Sequence, residues 1–262
     1  MTLSVQDTIA QRKAQGHGTL VAYLPVGYPD LATSVEASIA VLNSGADILE
    51  LGVPYSDPVM DGTVIARATQ TALERGFKLR HVFPAVAEIV KATGKPVLVM
   101  TYWNPVVQYG VENFAIDLKA AGGAGLITPD LIPDEAADWL EISERLELER
   151  VFLAAPSSSD SRLHVAGEQS KGFVYAVSTM GITGTRIDVD SAARGLVERI
   201  YAQGAEATCV GLGISTAEHV TDVVGFADGA IVGSALVRAL SEGGVGAVGE
   251  LAQSLASGTK RN

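Results

Sequence analysis

A repeating rhythm constrains this chain more than any other feature. Eight short, nearly continuous apolar runs recur at 19–26, 47–53, 96–102, 125–131, 150–155, 172–178, 207–214 and 229–237. Runs such as Val97-Leu98-Val99-Met100 and Ala230-Ile231-Val232 do not alternate apolar with polar residues. Strands of that kind are covered on both faces, as in a parallel sheet flanked by helices. Between the runs the period changes to that of a helix: Ala192, Leu196, Val197 and Ile200 share one face of a stretch over 191–202. Further helices are expected over 31–44, 63–75, 81–92 and 134–146, and a short extra one over 5–15 could close the lower end of a barrel. Strand–helix alternation eight times over favours a closed α/β architecture, a (β/α)8 TIM barrel with a short extra N-terminal helix. An open doubly wound sheet would want G-x-G-x-x-G after an early strand, and 24–30 (LPVGYPD) does not supply it. No linker or shift in composition divides the chain, so one barrel domain over 1–262 is expected. The polar tail 257–262 is expected to fray.

Composition removes several function classes. A net charge of −11 opposes binding to a nucleic-acid backbone. It does not oppose a small phosphorylated ligand, which backbone N–H groups can hold. The single cysteine, Cys209, excludes an internal disulfide and reads as a buried strand residue. No cysteine–histidine cluster has metal-ligand spacing, so no metal is expected. No apolar run approaches the roughly 18–20 residues of a membrane span, and the first 18 residues lack the layout of a signal peptide. The expectation is a soluble cytoplasmic protein with neither nucleic-acid nor membrane partners.

In such a barrel the reactive groups sit at the C-terminal ends of the strands, so polar residues there are the ones to question. The most unusual segment is 49–62, LELGVPYSDPVMDG. Glu50 lies between Leu49 and Leu51 within a strand, and two readings compete for it. One is a salt bridge to a neighbouring strand; the other is a carboxyl whose pKa burial has raised, able to exchange a proton near neutral pH. Asp57 and Asp61 follow in a loop with prolines and a glycine, where turn formation or helix capping rivals a chemical role. Glycine pairs close the last two strands, Gly211-Leu212-Gly213 and Gly233-Ser234, where barrels of this kind often cradle phosphate. The segment after the sixth strand, 178–185, suits either a lid or an ordinary surface loop. Tyr102 and Asn104 could line a planar ligand, with core packing the rival for Tyr102. The histidines, His17, His81, His164 and His219, have no serine or cysteine companion in sequence.

Segment 49–62 resembles the signature of the tryptophan synthase alpha chain family. The likeness continues through Gly27-Tyr28-Pro29, Met100-Thr101-Tyr102-Trp103-Asn104-Pro105, Thr128-Pro129-Asp130-Leu131, the 175–184 loop and both terminal glycine pairs. The resemblance implies retro-aldol cleavage of indole-3-glycerol phosphate to indole and glyceraldehyde 3-phosphate, with no metal and no organic cofactor. By the same resemblance Glu50 is the acid–base carboxylate, Asp61 stabilises the cationic indolenine, and Tyr175 supports them. Thr183 matches the lid threonine that orients the aspartate. Gly184, Gly213, Gly233 and Ser234 match phosphate contacts, and Tyr23, Ile65, Tyr102 and Ile127 match indole-pocket positions. The implied partner is a pyridoxal-phosphate-dependent beta subunit in an αββα assembly, met through loops at 54–58, 102–109 and 130–133. Thr63, Ala66, Thr179 and Tyr28 depart from residues common in the family. A sugar-phosphate isomerase or epimerase would want a metal or lysine that the strand ends lack. A free-standing lyase and a non-catalytic regulatory subunit are the remaining alternatives.

Overall fold

The computed structural model describes residues 4–177, 186–211 and 213–261, with the side chains of 186–190 left aside. The strands are β1 (Thr19–Pro25), β2 (Ile48–Gly52), β3 (Val97–Met100), β4 (Gly125–Ile127), β5 (Glu149–Val151), β6 (Leu153–Ala154), β7 (Val174–Val177), β8 (Thr208–Gly211) and β9 (Gly229–Val232). All ladders are parallel, in the order β5-β4-β3-β2-β1-β9-β8-β7-β6. The two outermost strands, β5 and β6, are separated only by Phe152, so the sheet closes on itself. They are the single expected run at 150–155, interrupted where the Phe152 N–H turns to Ser170 Oγ and Arg150 bridges Lys171. The barrel expected from the rhythm is present, with its fifth stave broken in two.

Helix α1 (Val5–Ala14) closes the lower end, and the others wrap the outside: α2 (Leu31–Asn43), α3 (Thr63–Glu74), α4 (Val82–Thr93), α5 (Trp103–Tyr109), α6 (Val111–Ala120), α7 (Ala137–Arg145), α8 (Asp160–Gln169), α9 (Arg186–Ala202), α10 (Ala217–Val224) and α11 (Ser234–Ser257). The expected run at 229–237 was too long, because Gly233 is the N-cap of α11 and residues beyond it are helical. Trp139 is fully buried on α7.

Strand side chains divide by parity between two cores. Leu20, Ala22, Leu49, Leu51, Val97 and Val99 face outward and pack under the helices. Val21, Ile48, Leu98, Ile127, Val151, Phe173, Cys209 and Ile231 face inward, and Val5 and Ile9 of α1 join them from below. That inward set is a filled layer rather than a pore, as this architecture requires.

The lower end is bolted by charge. Glu149 accepts the N–H groups of Val5 and Gln6 at 2.8 and 2.9 Å, satisfying orphan donors at the start of α1. At the other end of α1, Arg12 pairs with Asp47 at 3.2 Å and Lys13 with Asp228 at 3.2 Å. Residues 257–261 of the polar tail do not fray as their composition suggests. Gly18 donates to the Thr259 carbonyl, His17 bridges Lys260, and Arg261 Nη2 reaches the Ala227 carbonyl and Asp228. Thr259 is buried. Partners contributed by distant segments override local polarity.

Candidate active site

Glu50 stands two residues beyond Ile48 on β2 and therefore shares its inward face. It is 1% exposed, beside Tyr23 of β1 and Leu98 of β3. Its Oε2 is buried without a hydrogen-bond partner, and no salt bridge forms to a neighbouring strand among the described residues. The first of the two sequence readings, a salt bridge, finds no partner among the described residues. Burial pushes Glu50 up to about 8, and the negative Asp61 pushes in the same direction.

Asp61 sits half-buried in the loop between β2 and α3. It does not cap α3, whose N-cap is Gly62 with no side-chain cap bond. Instead its Oδ1 faces the Tyr102 hydroxyl at 3.5 Å, a long hydrogen bond. The same hydroxyl accepts the Met60 N–H at 2.9 Å, so Tyr102 tethers the segment that carries Asp61. Burial raises the Asp61 carboxyl above its ordinary range, and the Tyr102 contact opposes that rise. Asp57, by contrast, is exposed and accepts from neighbouring Ser56, which is turn chemistry.

The two carboxylates converge on Tyr23. Burial raises its phenol well above the ordinary value, with Asp61 and then Glu50 adding to the effect. Tyr23, Gly52, Val53, Asp61, Tyr102 and Pro129 line a small cavity of about 10 Å³, together with Met100 and Thr101. A side chain at position 52 would collide with the Tyr23 ring, and one at 211 would meet the Tyr175 hydroxyl at 2.7 Å. The two glycines thus make room for the two tyrosines. Tyr175 lies on β7 between Leu153 and Cys209; burial raises its phenol, and Glu50 is the next cause. Ile127 ends β4 inside the same core as Met100.

Beside Tyr23, Gly233 begins α11 without a side-chain cap. The first intrahelical bond runs from Val237 N to the Gly233 carbonyl, so the preceding N–H groups have no partner within the helix. Ile65, in the first turn of α3, approaches Gly233 and so faces the start of α11. Gly213 follows β8 with φ +63°, a left-handed turn suited to glycine. Thr183 and Gly184 lie outside the described residues, as does the rest of 178–185. Asn104 is not brought in: it is exposed, and its amide donates to the Tyr55 hydroxyl at 3.2 Å. Sequence reasoning missed the Met60–Tyr102 tether, for which a backbone donor leaves no signal. A larger cavity of about 310 Å³ lies at the opposite end, where Lys171, Glu168, Glu206 and Gln6 surround the starts of β7 and β8.

The family model for the tryptophan synthase alpha chain matches residues 9–260. The chain is 63% identical over 257 residues to the tryptophan synthase alpha chain of Leifsonia xyli subsp. xyli, covering 98% of each. It is 55% identical over 242 residues to that of Mycobacterium avium, covering 92% of this chain and 89% of the other. This chain belongs to the tryptophan synthase alpha chain family. Solved structures of tryptophan synthase agree. That from M. tuberculosis in its aminoacrylate-bound form superposes with a TM-score of 0.91 at 47% identity, covering 98% of this chain and all of the other. The Pyrococcus furiosus complex gives 0.83 at 35% identity, covering 92% and 98%.

One surface feature stands out against this alpha-chain fold. Six large hydrophobic side chains are exposed among the described residues: Leu31, Val59, Met60, Val107, Ile116 and Ile132. Four of them, Val59, Met60, Val107 and Ile132, lie in or next to the three loops that the resemblance assigned to a partner subunit. No helix among the described residues is long and apolar enough to cross a membrane.

Proposed function

We propose that Glu50 and Asp61 divide the work of the alpha-chain reaction, the retro-aldol cleavage of indole-3-glycerol phosphate to indole and glyceraldehyde 3-phosphate. The reaction needs one proton delivered to indole C3 and one removed from the adjacent side-chain hydroxyl. Protonation at C3 creates a cationic indolenine. Loss of the hydroxyl proton then lets the C3–carbon bond break, its electron pair returning to the ring as the aldehyde forms. Glu50 starts protonated, gives its proton to C3, and takes the hydroxyl proton, so it ends as it began. A carboxyl held near 8 is suited to both halves of that exchange. This single observation, a buried acid at the barrel mouth whose Oε2 has no partner among the described residues and whose pKa burial raises, carries the reading.

Asp61 accepts the indole N–H and stabilises the cation while ionised. The Tyr102 tether supports that role by holding the loop over the mouth. Tyr23, Ile65, Tyr102 and Ile127 form the indole pocket, and Tyr175 packs beside Glu50. Gly213, Gly233 and Ser234 offer backbone N–H groups, and the start of α11, to the phosphate. Thr183 and Gly184 complete the lid and the phosphate contacts in the same reading. One domain, residues 1–262, carries the whole reaction.

The product passes to a tryptophan synthase beta subunit, a pyridoxal-phosphate enzyme, in an αββα assembly. The exposed Val59, Met60, Val107 and Ile132 support contact through the barrel mouth, since exposed apolar side chains gathered on one face mark an interface. A cytoplasmic location belongs to the same reading, because a phosphate dianion does not cross a bilayer unaided. The test is an assay of indole release from indole-3-glycerol phosphate by the full chain, alone and with a beta subunit. Release that rises with the subunit is expected; no release in either arm refutes the reading.

A further inference from the structure

The outer groove between α3 and α11 holds a cavity that the reaction does not use. It measures about 210 Å³, and its lining includes Tyr28, Val64, Val237, Arg67, Arg238 and Ser241. Neither Glu50 nor Asp61 borders it. Arg145 pairs with Glu112 and Arg199 with Asp160, while Arg75 donates to the Pro29 carbonyl and Arg194 lies over the Phe226 ring. Arg67 and Arg238 make no ion pair or side-chain hydrogen bond among the described residues, yet they border one cavity from two different helices.

The geometry points to a binding site here for a small organic anion, a carboxylate or phosphate monoester carried on an aromatic or short apolar body. Guanidiniums are donors of fixed fork geometry that match both anionic groups, and the Ser241 hydroxyl adds a further donor. Val64, Val237 and Tyr28 supply the apolar wall that a bare inorganic ion would leave unused. The volume falls below the roughly 300–1,000 Å³ of drug-sized sites, which limits the ligand to about one ring. Occupancy would tie α3 to α11, whose first turns carry Ile65 and Ser234 at the barrel mouth.

The test is a titration of phenyl phosphate, benzoate and inorganic phosphate into the full chain, read by the methyl resonances of Val64 and Val237. Saturable shifts are expected with both aromatic anions, and inorganic phosphate should need about tenfold more to reach half-saturation. In R67Q/R238Q, half-saturation by the aromatic anions should rise about tenfold or more. The Ile127 methyl, which reports the barrel mouth, and the rate of indole release should stay as in the parent chain. This also shows that the variant is folded. If R67Q/R238Q does not fold, R67K/R238K replaces it, because lysine keeps the charge and loses the fork. The inference falls if Val64 and Val237 do not shift, if the variant saturates like the parent, or if inorganic phosphate binds as tightly as phenyl phosphate.

Discussion

At the lower end of the barrel, the half-buried Asp47 and the buried Glu149 and Asp228 lie against donors that meet them. Asp47 has Arg12 and the Leu20 N–H, and Glu149 has the first N–H groups of α1. Asp228 has Lys13, Arg261, the Tyr201 hydroxyl and the Thr208 N–H. At the upper end, Glu50 is as deeply buried, but its Oε2 is unmet and its chief charged neighbour is another carboxylate. The same residue class therefore does opposite things at the two ends. Below, satisfied carboxylates hold α1 and the C-terminal tail in place. Above, an unsatisfied one gives up stability to keep a proton at neutral pH.

The contrast breaks most sharply at Glu50. Glu50→Gln should lower kcat/KM for indole release by about 10³-fold or more, because both proton transfers lose their carrier. It should not unfold the chain. A carboxyl raised from 4.5 to about 8 contributes stability that is fully present below 4.5 and lost as pH rises through 8. Glu50→Gln lacks that loss, so above pH 8 it should be more stable than the parent, on the order of 5 kcal/mol, in urea unfolding. In the parent enzyme, kcat/KM should fall as pH rises through about 8. A profile flat to pH 9.5 would remove Glu50 as the acid.

Asp61→Asn tests whether the upper pair really has separate tasks. It should lower kcat by about 10²–10³-fold, since the cation loses its counter-charge. It should also lower the Glu50 pKa, moving the alkaline limb to lower pH, because Asp61 is one of the causes that raise it. An unmoved limb would mean that the two carboxylates do not sense each other.

Asp228→Asn is the counterpart at the lower end. It leaves Lys13 and Arg261 facing a neutral group and should cost about 3 kcal/mol of stability. Its kcat/KM at 25 °C should match the parent, and a large loss of activity in folded protein would erase the division between the two ends. Smallest is Tyr102→Phe, which removes the tether to Met60 and Asp61 while keeping the ring. We expect about a tenfold loss in kcat/KM and under about 1 kcal/mol in stability. Loss of stability without loss of activity would make the hydroxyl a structural group only.

Much of this was legible in the residues alone. The eight runs announced a closed parallel barrel because strands buried on both faces need apolar side chains throughout, a local property that sequence displays. Glu50 stood out for the same reason, as a charge where the pattern demands an apolar group. The helix 5–15 was expected at the barrel floor and lies there. Other features depended on partners far away in the chain. The polarity of 257–262 predicts fraying, yet Gly18, His17 and Ala227 hold Thr259, Lys260 and Arg261 down. The capping question at Asp61 turned on where the Gly62 backbone and Tyr102, 41 residues away, came to rest. The break in the fifth stave came from Ser170 and Lys171.

By itself, then, the order of residues determined the barrel, its inward and outward parity, and the odd carboxylate at position 50. Periodicity and local composition are enough for those, because each is decided by neighbours within a few residues. Whether Glu50 found a partner, and whether Asp61 faced helix or cavity, was decided only in three dimensions. A pKa depends on what surrounds a group in space, and at Glu50 that means β1, β3 and the loop that carries Asp61.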